Sequence, residues 1–169
     1  MFNIGDYVIC GSNGVCKVEK IGTLDVSGIS KDRAYYTMDK VYSKGSKVYI
    51  PVDNDKVTVR PVLSKEEAYS LIDQMENVEP LIIVDERKKS DIFKKSMQMY
   101  DCNELLRILK TLYFSKQKKL AEGKKETAGD SNYYRMAEDS LVGELAISLD
   151  MDRENVRQMI MEKVNLLYS

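Results

Sequence analysis

In the first third of the chain, apolar residues come in short runs cut by turn residues. Tyr7, Val8 and Ile9 lead into Gly11-Ser12-Asn13-Gly14. Asn-Gly is a strong hairpin signal because both residues tolerate positive φ. VCKVEKIGTL follows from Val15, with an apolar phase that slips and so predicts a bulge near Lys20–Gly22. A polar loop covers Asp25–Asp32. Ala34–Val41 and Lys47–Val52 then read as strands around a Ser43–Ser46 turn. After the Asp53-Asn54-Asp55 turn, Val57–Val62 reads as a fifth. Short strands with turns at this spacing predict a small antiparallel barrel or a strongly bent sheet over residues 1–63. Pro51 and Pro61 lack the ladder donor, so they belong at edges or strand ends.

From Ser64 the period changes to that of a helix. Ser64 with Glu67 is a capping-box pair opening Lys65–Met75. Asn77–Val84, with Pro80, reads as a connector, and Glu86–Met99 as a second helix. Asp101 with Glu104 reads as another capping box, before Leu105, Leu106, Ile108, Leu109, Leu112 and Tyr113 at helical spacing. Gly123–Asn132 is a polar break. Helices over Tyr133–Leu149 and Arg153–Leu167 follow, the last capped by Asp152 with Val156, Met159, Ile160, Val164 and Leu167 facing inward. The short breaks predict a compact all-α bundle of about four helices over 64–169. The fold class is therefore α+β in two domains.

Composition narrows what such a chain can do. There is no histidine and no CxxC spacing among Cys10, Cys16 and Cys102. That removes the commonest general base and the usual nucleophile pairs, and it argues against a zinc site or disulfide framework. A non-enzymatic protein without a cofactor or small-molecule substrate is expected. No apolar run approaches a membrane span, and the N-terminus lacks the grammar of a signal peptide, so a cytoplasmic location is expected. The net charge of −1 hides an asymmetry. Residues 85–125 carry 12 basic and 6 acidic side chains, whereas 126–169 carry 4 basic and 9 acidic.

Four candidate sites stand out. The basic block runs Arg87-Lys88-Lys89, Lys94-Lys95, then Arg107, Lys110, Lys116, Lys118, Lys119, Lys124 and Lys125. Such a face favours phosphates through counterion release. The residues alone leave a polyanion surface and a solvated helix face equally open. Lys47–Val52 is a candidate sheet edge, able to accept a partner strand or simply shielded by its proline. Asp53-Asn54-Asp55 lacks the glycine and distal glutamate of a calcium loop and reads as a turn. The pairs Tyr35-Tyr36 and Tyr133-Tyr134 read as core or rim packing rather than a base-stacking platform.

Taken in order, IGDYVICGSNGVCKVEKI, AYYTMDKV, KVYIPVDN, VTVRPV, DCNELLRILKTLYFSKQKK and SLVGELAISL resemble the CarD/CdnL family of bacterial RNA polymerase-binding regulators. The first domain is also similar to the polymerase-interacting domain of the transcription-repair coupling factor. The resemblance implies a Tudor/SH3-like barrel that binds the polymerase β subunit through Leu24, Lys47, Val48, Tyr49, Ile50 and Pro51. It implies a helical domain that meets promoter DNA near the upstream edge of the bubble through Glu86, Arg87, Lys88, Lys89, Lys94 and Lys95. Open-complex stability would then be modulated; an adaptor on polymerase without DNA contact is the rival. Leu24 and Tyr49 stand where several family members carry arginine, so a more apolar polymerase contact is expected. The chain has no Trp, and Glu86 stands where some members place a wedge-like tryptophan. Phosphate contact, not intercalation, is the expectation that carries over.

Overall fold

In the computed structural model the described backbone runs over residues 1–168. The side chain of Leu167, expected to face inward, lies outside the described residues. The chain divides into two compact units, Met1–Val62 and Leu63–Ser169.

The first unit is a five-stranded antiparallel sheet: β1 (Tyr7–Cys10), β2 (Val15–Gly22), β3 (Tyr35–Lys40), β4 (Lys47–Pro51) and β5 (Val59–Pro61). The spatial order is β4-β3-β2-β1-β5. Among the described residues no ladder joins β4 to β5, so the sheet is open where a closed barrel was expected. β5, only three residues long, offers little to close on. One face packs Val8, Cys10, Cys16, Val18, Tyr36, Met38 and Ile50 into a core. At the β1–β2 turn Gly11 has φ 48°, which favours glycine, and a Cβ there would stand 3.0 Å from the Val57 methyl, which would have to shift. The bulge falls between Val18 and Lys20, slightly ahead of its expected place.

The second unit holds five α-helices among the described residues, where about four were expected: α1 (Lys65–Asp73), α2 (Lys89–Met97), α3 (Cys102–Ala121), α4 (Ala128–Leu149) and α5 (Arg153–Tyr168). Their core includes Phe93, Leu105, Ile108, Leu141, Leu145 and Val156. Burying each such side chain contributes roughly 1.5–3 kcal/mol. The Ser64/Glu67 capping box forms in both directions, at 2.8 and 3.1 Å. The Asp101/Glu104 box does not form. Glu104 turns instead to the Ser96 hydroxyl on α2 (2.8 Å) and to Arg107 (2.9 Å). Nor is Gly123–Asn132 all loop. Thr127 caps α4 by accepting from the Asp130 amide, and the helix begins at Ala128.

Residues 76–81 lie along α3, strapped by its side chains. The Lys110 ammonium donates to the carbonyls of Glu76 and Val78, and Arg107 to that of Glu79. Thr111 accepts from the Leu81 amide at 2.8 Å. Glu144 on α4 is 1% exposed, and it accepts from the Leu63 amide (3.0 Å) and the Cys102 thiol (3.1 Å). That one carboxylate ties the start of the unit to α3 and α4.

Candidate functional site

β4 is an edge strand, and its register shows which backbone groups are free. The Lys40 amide donates to the Ser46 carbonyl, and the Val52 amide to that of Ala34. In an antiparallel pair the bonded positions alternate. The even-numbered residues of β4 therefore face β3, and Lys47, Tyr49 and Pro51 turn their backbone groups outward. Two amides and two carbonyls, those of Lys47 and Tyr49, are left for a partner strand, because the Pro51 carbonyl accepts from the Asn54 amide at 3.0 Å. Pro51 sits where its missing N–H costs the ladder nothing. Pro61 obeys the same rule on β5, since the bonded partners of β1 are Thr58, Arg60 and Val62. The side chains alternate too: Ile50 enters the core, with Val48 packed against it, while Lys47, Tyr49 and Pro51 stand on the other face. Leu24 is 9% exposed and offers little surface. Lys47 pairs with Asp39 at 2.6 Å, a hydrogen bond that raises the pKa of its ammonium.

The helical candidates separate into held and free cations. A single 3₁₀ turn, Glu86–Lys88, precedes α2. The Arg87 guanidinium folds back on Asp85, whose carboxyl is lowered mainly by that hydrogen bond. Lys89 turns inward to Asp130 (3.0 Å) and also meets Glu86 (3.3 Å). Burial disfavours its charge, but the bond and charge of Asp130 outweigh this, and its pKa is raised. Asp130, 4% exposed, also takes Lys119 from α3 at 3.3 Å. This knot draws the end of α3 to the starts of α2 and α4, while Lys116 pairs with Glu126 and Lys124 with Glu122. Lys88, Lys94 and Lys95 are exposed and have no carboxylate partner among the described residues. Sequence spacing did not separate these three from Lys89, because only the fold brings Asp130 within reach.

Residues 2–63 match a protein-family model described as the CarD-like/TRCF RID domain. The N-terminal unit is similar to that domain family. That family is one of polymerase-interacting domains. No curated protein matches the chain. In this unit the exposed part of the expected contact set is the outward side of β4.

Other chemistry is sparse. Cys10, Cys16 and Cys102 are free and buried. The thiols of Cys10 and Cys16 hydrogen-bond each other across β1 and β2; that bond, with burial, pushes the Cys16 thiol up. The helical unit has a pocket of about 120 Å³ among Leu106, Leu109, Leu141, Val142 and Ile160, with Glu138 as its one carboxylate. No helix of the described residues is long and apolar enough to cross a membrane.

Proposed function

We propose that the chain is a transcription regulator that docks on the RNA polymerase β subunit through the outward edge of β4. It touches promoter DNA beside the upstream edge of the bubble through its helical unit, and so changes the lifetime of the open complex. The observation that carries this reading is the open β4 edge, with two unpaired amides and two unpaired carbonyls, in a unit that matches a polymerase-interacting domain family. Strand addition at such an edge supplies affinity through main-chain bonds. Lys47, Tyr49 and Pro51 give that edge its side-chain character; Val48 and Ile50 shape it from beneath, and Leu24 adds little exposed surface. Once docked, the protein is concentrated at the promoter, so weak phosphate contacts suffice. Lys88, Lys94 and Lys95 are the best suited to make them, with Arg87, Lys89 and Glu86 setting the local charge.

The test is retention of the polymerase β subunit by the full chain. Tyr49→Pro deletes one outward amide and leaves the β3–β4 bonds intact, so retention should fall tenfold or more. Unchanged retention would overturn the docking edge. For DNA, Lys88→Glu with Lys94→Glu and Lys95→Glu should weaken promoter complexes and flatten their salt dependence.

A second reading, an adaptor on polymerase without DNA contact, draws on the carboxylates that hold Arg87 and Lys89. A crosslink from residues 85–125 to upstream promoter DNA in the assembled complex would remove it.

A specific feature bears on the missing tryptophan. Ile82 and Val84 are 79% and 92% exposed, immediately before Asp85. Aliphatic side chains can wedge between base steps, and these two stand beside the cations proposed to meet phosphate. Val84→Ser should shorten the open-complex lifetime without changing polymerase retention; an unaltered lifetime would exclude the wedge.

A further inference from the structure

Residues 1–62 carry nine basic and seven acidic side chains. Four of the nine, Lys17, Lys40, Lys44 and Lys47, line one open concavity of about 430 Å³ with Tyr7 and a single carboxylate, Asp39. The sheet register builds this grouping. Tyr7 lies opposite Lys17, Lys17 opposite Asp39, and Asp39 opposite Lys47, a continuous row across β1, β2, β3 and β4. At about 4.8 Å between strands, Lys17 and Lys47 stand roughly 10 Å apart. Lys40, at the end of β3, and Lys44, in the β3–β4 turn, close the row.

Asp39 is occupied by Lys47. Lys17 holds its ammonium 5.7 Å from the centre of the Tyr7 ring. Among the described residues Lys17, Lys40 and Lys44 have no carboxylate partner. Like charges gathered across neighbouring strands oppose folding. Their grouping is therefore not explained by stability and points to an anion.

The cations themselves select the class of anion. Lysines offer point charges suited to phosphate oxygens, whereas planar carboxylates are better met by the arginine fork, which is absent here. Lysine is depleted at protein–protein interfaces, and those interfaces need a buried apolar or aromatic anchor. The concavity is open and polar and holds no such pocket. Protein–DNA interfaces, by contrast, are polar and strongly positive.

We propose that this concavity on the β-sheet binds the phosphate backbone of duplex DNA, independently of sequence and of the helical unit. The ligand would then meet the chain at two separate surfaces.

The test is fluorescence anisotropy of a short labelled duplex with the full chain across a salt series. Lys17→Gln with Lys40→Gln and Lys44→Gln should weaken binding several-fold. It should also reduce the slope of log K against log salt by roughly 2 to 3, about 0.9 per lost phosphate contact. If that variant melts early, Lys44→Gln alone, on the exposed turn, should reduce the slope by about 1. Unchanged affinity and slope in the folded variant would overturn the proposal. Loss of polymerase retention with duplex binding intact would also overturn it, by assigning the surface to a protein. A parallel Lys88→Gln, Lys94→Gln and Lys95→Gln variant reads the helical surface separately, so either contact can fail without the other.

Discussion

Asp130 holds two lysines from two other helices, and it is almost wholly buried. Removing one partner of a buried ionic knot leaves charge without compensation and costs about 3–5 kcal/mol. Asp130→Ala should therefore lower Tm substantially in a thermal melt. Asp130→Asn keeps the shape and drops the charge. It should cost less and release Lys89 and Lys119, so that duplex affinity rises as stability falls. A parallel fall in both would show that the knot organises the surface rather than restraining it. Thr37 presents the opposite case. Its hydroxyl is buried on β3, opposite Tyr49, with no hydrogen-bond partner. Thr37→Val exchanges that stranded oxygen for a methyl and should raise Tm, by the equivalent of about 1 kcal/mol or somewhat more. A lowered Tm would mean that the hydroxyl is satisfied by solvent.

At the scale of elements, the strands and helices were legible wherever periodicity and turn chemistry agreed. The Ser64/Glu67 box depends on local residues and forms as its sequence implies, whereas the turn expected at Asn13-Gly14 forms as a 3₁₀ turn over Gly11–Asn13 with positive φ at Gly11 and Gly14 rather than at Asn13. Ser64→Ala should cost about 1 kcal/mol in chemical denaturation, since it removes the acceptor for the Glu67 amide. The misreadings arose where distant partners competed. Glu104 had a local capping role available and took Ser96 and Arg107 instead. The first turn of α4 is polar and so resembled a loop, but Thr127 caps it and Asp130 is pulled inward by lysines far away in sequence. Arg107 and Lys110 fell within a basic block that read equally as a polyanion surface or a solvated face, yet they hold backbone carbonyls of Glu76, Val78 and Glu79. Charge counts along the chain cannot distinguish such structural cations from exposed ones.

For the molecule as a whole, a β-rich first unit and a helical second one were legible from strand and helix patterning, whereas the openness of the sheet depended on lengths and pairings that patterning does not specify. Alkaline stability is set in part by Tyr134, whose phenol burial and nearby Glu138 push up to about 12 from an ordinary value near 10. The folded state keeps this proton while the unfolded chain loses it. Its contribution is complete below about pH 10 and disappears as pH rises toward 12. Tyr134→Phe should flatten the decline in Tm across that interval; an identical decline would assign the alkaline loss to other groups.

The prolines of β4 and β5 bear on behaviour at high concentration. Each edge is open to water, yet each has a proline where an outward donor would otherwise stand. A second copy of the chain thus meets an interrupted hydrogen-bonding row from either side, and indefinite stacking of sheets is discouraged. Replacing Pro51 with valine would restore the missing donor and lengthen a β-prone surface. Light scattering should then report self-association rising with concentration, the solubility risk that accompanies an edge left available for another strand.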